Sequence, residues 1–279
     1  MLVNLKEILA LAEKDGNAVG SFNTPNLPSL HAVIAAAEEA NRPVIIMHAQ
    51  VHEEMGLCTL EEITPIMLRA AKEAKVPVCV HLDHGTDAEY VKRGMELGYT
   101  SVMFDGSELE PEENLKITKK IVQLAHAKGI SVEAEVGSMG AREGGTASDR
   151  EALYTDPETA KAFAAESGID ALACAFGTAH GLYTEEPKLD FDRVAKIREM
   201  TGLPLVMHGG SGVSDKDFAR AIGCGIRKIN YYTYMAKAGA EAVLKDENVL
   251  PAMYHDLEKK AEAAMKQNVL IALKIFEGK

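Results

Sequence analysis

The chain has 279 residues, 47% hydrophobic and 26% charged, the composition of a globular protein with enough apolar sequence for a sizeable core. Its net charge is -12 and no basic stripe runs along it, which argues against nucleic acid or an anionic membrane as the main partner. A phosphorylated metabolite remains compatible with that charge, because helix N-termini and backbone amides hold phosphate inside acidic proteins.

Residues 1–16 read as a short amphipathic helix capped by Asn4 and stopped by Gly16. Lys6, Glu7, Glu13 and Lys14 run through it, so it is neither a signal peptide nor a membrane span, and a cytoplasmic protein is expected. Short apolar runs then follow at 18–23, 43–48, 77–83, 100–105, 130–136, 170–176, 204–209 and 227–232. Segments such as SLHAVIAAAEEAN and TAKAFAAESG lie between them, spaced for one apolar helical face and closed by Asn or Gly. Eight such units predict an α/β fold: a (β/α)8 TIM barrel spanning 1–279 as one domain, preceded by the short helix. The glycine fingerprint of a doubly wound sheet is absent after the first run. The cysteines Cys58, Cys79, Cys174 and Cys224 form no CxxC pair, so neither a disulfide framework nor a thiolate zinc site is expected.

Polar residues gather at one end of these runs. His84, Asp105, Gly209 and Asn230 stand at or just after the C-terminal ends, and His180 follows its run within a few residues. Side chains from different strands converge on that face of a barrel, and it carries the chemistry. Three histidines, His84, His180 and His208, come from different strand ends and each precedes a glycine. Three neutral imidazoles with an open fourth position make a catalytic zinc site. His81 shares the parity of Asp83 and is expected inside the barrel, near a carboxylate. His48 could face the pocket, and His52 reads as a solvated loop residue.

Asp83, beside His84, is placed to exchange a proton with a hydroxyl oriented by the metal site. Glu143 lies in the glycine-laden segment GSMGAREGGTASD, which could fold over a substrate and deliver a base. Glu133 and Glu135 share one face of their strand: Glu133 suits a buried ion pair or hydrogen bond, while Glu135, with Asp105, suits a second cation or a ligand histidine. Gly209-Gly210-Ser211-Gly212, followed by a helix opened by Ser214-Asp215, and Asn230 with Thr233 make a candidate phosphate cradle.

HLDHG (81–85), SVMFDGS (101–107), EAEVG (133–137), GTAHGLY (177–183), HGGSG (208–212) and KIN (228–230) with Thr233 together resemble the class II ketose-bisphosphate aldolases, of fructose- and tagatose-bisphosphate type. GSFN (20–23) fits the start of that family. The resemblance implies reversible cleavage of a phosphorylated ketose to dihydroxyacetone phosphate and an aldehyde. His84, His180 and His208 would hold the zinc that polarises the ketose carbonyl. Asp83 would exchange the proton of the hydroxyl that becomes the aldehyde oxygen, and Glu143 would move the carbon-bound proton. Asp105 and Glu135 match positions able to hold a second divalent or monovalent cation. Asn23, Gly181, Gly209, Gly210, Ser211, Asn230 and Thr233 match substrate contacts, and a homodimer or homotetramer is implied. This chain departs from relatives at the aldehyde end. Tyr232 takes the inward position two after Asn230, Ala49 stands about where a serine is frequent, and lysines such as Lys266 and Lys274 replace a C-terminal arginine. The same chemistry on a ketose 1-phosphate is therefore the alternative, and a non-catalytic accessory barrel is the less favoured one.

Overall fold

A computed structural model describes residues 1–137, 154–183, 186–246 and 252–278. Its strands are β1 (Leu2–Val3), β2 (Val19–Asn23), β3 (Val44–Ala49), β4 (Val78–Gly85), β5 (Ser101–Phe104), β6 (Ser131–Val136), β7 (Ala171–Cys174), β8 (Leu205–Met207) and β9 (Ile226–Asn230). Strands β2 to β9 pair in parallel with their chain neighbours, and β9 closes on β2 through Ser21 opposite Asn230. Each of β2 to β9 lies inside or within two residues of an expected run, and the result is the single-domain (β/α)8 barrel read from the sequence. The two-residue strand β1 was not foreseen; it pairs with β4, Leu2 opposite Val78.

Six of the helices start at a residue whose side chain caps them after the preceding strand or loop. Asn26, Thr59, Asp87, Asp156, Asp190 and Ser214 all accept a first-turn backbone N–H with their side chains. The N-terminal helix runs over Leu5–Asp15, with Asn4 as a capping box and Gly16 in left-handed backbone at its end.

Period-two alternation divides each strand between two cores. Outward residues such as Ile46, Val80, Leu82 and Val132 pack under the helices. Inward residues Val19, Ile45, Met47, Cys79, Met103, Ala171, Ala173 and Val206 pack with Leu5, Ile8, Leu9 and Ala12. The N-terminal helix is thus the floor of the barrel, and its charged residues line the side away from that core. Above this apolar layer the inward positions turn polar: Asn23, His81, Asp83, Glu133, Glu135, His208, Lys228 and Asn230 are all buried. Among the described residues, no helix is long and apolar enough to cross a membrane, and all four cysteines are free.

Candidate active site

The site begins with a defect in β4. Leu82 pairs with Val102 and Gly85 with Phe104, so β4 advances three residues while β5 advances two. Asp83 and His84 together oppose Met103, and His84 adopts φ +44°, left-handed backbone rarely open to a residue with a side chain. In a regular strand consecutive side chains face opposite ways. The bulge lets Asp83 keep its inward position while His84 also turns to the rim. Gly85 accommodates the bend, since a Cβ there would run into Val91 and sit 2.9 Å from the Met103 carbonyl oxygen.

His84, His180 and His208 converge so that one nitrogen from each lies within 4.8 Å of the others. Their remaining contacts assign the nitrogens. His84 Nδ1 donates to Asp105 Oδ2 at 2.7 Å, and His208 Nε2 donates to Glu133 Oε1 at 2.9 Å. That leaves His84 Nε2 and His208 Nδ1 facing each other at 2.6 Å. Carboxylate–imidazole pairs that fix a ring's tautomer and aim its free nitrogen are the usual support of a histidine metal site. Three nitrogen donors in this arrangement fit a tetrahedral zinc site with one open position. His84 is also ringed by anions: burial would lower its pKa, but Asp83, Asp105 and Glu135 raise it to about 10, so a positive charge is favoured there. Glu135 is buried, its Oε2 has no hydrogen-bond partner among the described residues, and burial plus the neighbouring Asp105 carboxylate raise its pKa well above the usual range. His84, Asp105 and Glu135 form a second group whose ligand atoms lie within 4.8 Å of one another.

Asp83 is clamped from both sides. Asn230 Nδ2 donates to its Oδ1 at 3.0 Å and Asn23 Nδ2 donates to its Oδ2 at 3.1 Å. Burial opposes ionisation, but His84, Lys228 and two further histidines hold the carboxyl well below its ordinary pKa. It is therefore a carboxylate able to accept a proton. Both amides keep their carbonyl oxygens buried and without a hydrogen-bond partner among the described residues, so acceptors stand ready for hydroxyl groups.

The expected cradle loops are brought together by contacts that the sequence did not signal. Tyr183 Oη accepts from Ala179 N at 2.8 Å and donates to the Gly209 carbonyl at 2.9 Å, tying the loop of His180 and Gly181 to that of His208. Gly209, at φ +65°, would drive a Cβ into the Ala179 backbone. Gly210 N donates to the Asn230 carbonyl at 3.0 Å, and Tyr234 N approaches Ser211 Oγ at 3.4 Å. In the helix opened by Ser214-Asp215, one of the amides expected to be free, that of Asp217, already donates to a side chain. Ser214 caps it, and Asp215 and Asp217 already place carboxylates in its first turn. The helix Thr233–Leu244 has no cap from its own N-cap residue and no acidic first turn; Ser211 Oγ accepts from its Tyr234 N–H.

Other expectations change. His48 pairs with Leu82 and follows Ile46, so it faces the helix layer rather than the pocket, with Nδ1 3.8 Å from Cys58 Sγ. His52 is not solvated: it is 1% exposed, and its Nδ1 accepts from Ala49 N at 3.3 Å. Its ring lies 5.4 Å from that of Tyr232, which joins β9 to the helix Thr233–Leu244. Ala49 is inward, opposite Asp83. Lys266 is committed to Glu39 on the outer helices, Nζ–Oε2 2.6 Å. Glu143 lies outside the described residues. Lys228, to which the sequence reading gave no role, is fully buried in the barrel against Glu133; its parity with Asn230 was the available signal.

Comparison with known proteins agrees with this architecture. The family model for fructose-bisphosphate aldolase class-II matches residues 3–279. The chain is 41% identical over 244 residues to a fructose-bisphosphate aldolase of Staphylococcus aureus (strain Mu50 / ATCC 700699), covering 87% of this chain and 85% of that protein. It is likewise 41% identical over 254 residues to a fructose-bisphosphate aldolase of Geobacillus stearothermophilus, covering 89% and 88%. Among solved structures, the YdjI aldolase from Escherichia coli K12 superposes with a TM-score of 0.88 at 36% identity, covering 99% of this chain and 97% of that one. Fructose-bisphosphate aldolase from Campylobacter jejuni gives a TM-score of 0.79 at 25% identity, covering 99% and 95%. The chain belongs to the class II fructose-bisphosphate aldolase family, whose members are zinc-dependent lyases of phosphorylated sugars.

Proposed function

We propose that this protein cleaves a phosphorylated ketose reversibly, of fructose 1,6-bisphosphate or tagatose 1,6-bisphosphate type, releasing dihydroxyacetone phosphate and an aldehyde. The observation that carries the reading is the meeting of His84, His180 and His208 beside the amide-clamped Asp83 carboxylate. Zinc held by the three imidazoles would supply a Lewis acid for the ketose carbonyl. Asp83 takes the proton of the hydroxyl that becomes the aldehyde oxygen, as the adjacent carbon–carbon bond breaks and its electrons pass toward the carbonyl end. Asn23 and Asn230 hold Asp83 in place and offer their open carbonyl oxygens to substrate hydroxyls. Glu143 returns a proton to carbon in this reading. Asp105 and Glu135 serve as a second cation site.

The phosphate of the dihydroxyacetone end is assigned to Gly181, Gly209, Gly210, Ser211 and Thr233, supported by the start of the helix Thr233–Leu244, which has no cap from its own N-cap residue. A ketose 1-phosphate is the second reading for the other end, favoured by the inward Ala49, the Tyr232–His52 contact and the commitment of Lys266 to Glu39. The enzyme is read as a cytoplasmic homodimer or homotetramer. A second copy would cover exposed apolar side chains such as Leu244 at 81% and Tyr254 at 75%. The test is a substrate panel with zinc restored: fructose 1,6-bisphosphate, its tagatose epimer and ketose 1-phosphates, compared by kcat/KM for released dihydroxyacetone phosphate. No turnover of any of them by zinc-replete protein would refute the aldolase reading, and a strong bisphosphate preference would remove the second one.

A further inference from the structure

Beneath the histidines lies a charge that has entered the chemistry so far through its field on Asp83. Lys228 is 0% exposed, on the inward face of β9, and its Nζ sits 2.9 Å from Glu133 Oε2 and 3.2 Å from Oε1. Glu133 is equally buried, on β6 across the barrel. Its Oε1 is the atom that accepts from His208 Nε2 at 2.9 Å, and its Oε2, besides Lys228, has His81 Nε2 at 3.7 Å. His81 is itself turned toward Ser101, Nδ1 to Oγ 2.8 Å. A lysine and a glutamate taken fully out of water are costly, and a fixed geometry with well-placed hydrogen bonds is what repays them. Here the geometry ends on a ring nitrogen. A carboxylate can only accept, so its bond to His208 puts the ring proton on Nε2 and leaves Nδ1 an acceptor, facing His84 Nε2 at 2.6 Å and Asn230 Nδ2 at 3.2 Å.

We infer that Lys228 is a positioning residue of the metal centre: it anchors Glu133 so that His208 is held as the Nε2–H tautomer with Nδ1 aimed at the ion. The inference rests on the zinc reading of the three histidines and adds a residue that touches neither ion nor substrate. Partners of this kind contribute about 10- to 100-fold to metal affinity.

The test uses full-length protein, wild type and Lys228→Met, with zinc affinity measured by competition against a chromophoric chelator. Nitrogen chemical shifts of 15N-histidine-labelled, metal-free protein report the His208 tautomer independently of activity. The expected result is zinc binding weakened about 10- to 100-fold in Lys228→Met. His208 should also change from one tautomer to a mixture. Since Lys228→Met strands a buried carboxylate and could unfold the chain, Lys228→Met/Glu133→Gln is measured beside it. That pair is neutral and leaves no orphan charge, and it should weaken zinc binding in the same way. Wild-type affinity in whichever variant folds, with an unchanged tautomer, overturns the role of Lys228. Wild-type protein that binds no zinc at all overturns the metal reading underneath it, a result distinguishable because it appears before any substitution.

Discussion

Nε2 of His84 and Nδ1 of His208 face each other at 2.6 Å, each aimed by a carboxylate on the far side of its ring. Once the proton that the surrounding carboxylates favour on His84 is given up, the two lone pairs so directed are a site that a metal cation completes. His180→Ala should therefore lose zinc and lower kcat/KM by about 1,000-fold or more, since metal polarisation is worth several kcal/mol. Zinc content measured beside activity checks this. Chelator-treated wild type should regain activity with zinc, and full cleavage by the stripped protein would contradict the reading.

Asp83 sits where proton exchange is needed, and its carboxylate is not among the clustered imidazole donors. Asp83→Ala should cut kcat by about 100- to 10,000-fold, the usual contribution of a positioned acid or base. Zinc content should stay at the wild-type level. A variant with near-normal kcat would assign the proton to another group.

Ser211 and the start of the helix Thr233–Leu244 make the assigned phosphate contact. Removing one hydrogen bond to a charged group costs about 1.5–3 kcal/mol. Ser211→Ala should accordingly lower kcat/KM for phosphorylated ketoses by about 10- to 100-fold, with zinc affinity unaffected. Steady-state kinetics over a substrate series measures it, and an unchanged kcat/KM would move the phosphate elsewhere.

The bend in β4 needs residue 85 to lack a side chain, because a Cβ meets Val91 and the Met103 carbonyl. Gly85→Ala should destabilise the fold by about 1–3 kcal/mol, as overpacking does. It should also weaken zinc binding by shifting His84. Urea unfolding gives the first quantity, and wild-type stability would show that the bulge tolerates a methyl group.

His48 and His52 are buried, and that burial lowers both to about 4 from 6.5. The unfolded chain thus binds more protons than the folded one between those values. Stability is fully present above pH 6.5 and is lost as the pH falls toward 4, by up to about 3 kcal/mol per histidine. Urea midpoints at pH 7 and pH 4.5 test this. The His48→Gln variant should show a smaller drop between them, and an equal drop would assign the acid sensitivity to other groups.

The barrel was legible because its signals are local. Each barrel strand is an apolar run, many of the helices carry their own cap, and the N-terminal helix announces both ends through Asn4 and Gly16. The three histidines could be picked out because strand ends on one face of a closed barrel must converge. His48 was harder, since a residue at a strand end can turn either way and parity had to decide. His52 read as a loop residue because a one-turn helix, Gln50–Glu54, leaves no periodic trace, yet its Nδ1 caps that turn. The helix after Ser214 offers fewer open amides than its sequence suggests, for a physical reason: Ser214 itself takes the N–H of Asp217.

By itself the sequence determined the eight-unit barrel, the face that carries chemistry and the residue types able to bind a metal and move a proton. Those follow from periodicity, capping and strand parity, which act over a few residues. Only the tertiary structure decided how the pieces meet: the extra residue that turns both Asp83 and His84 toward the site, the two asparagines that grip one carboxylate, and the Lys228–Glu133 pair behind His208. The last two are contacts between residues 60 to 147 apart in the chain. Nothing local encodes them; closure of the barrel creates them.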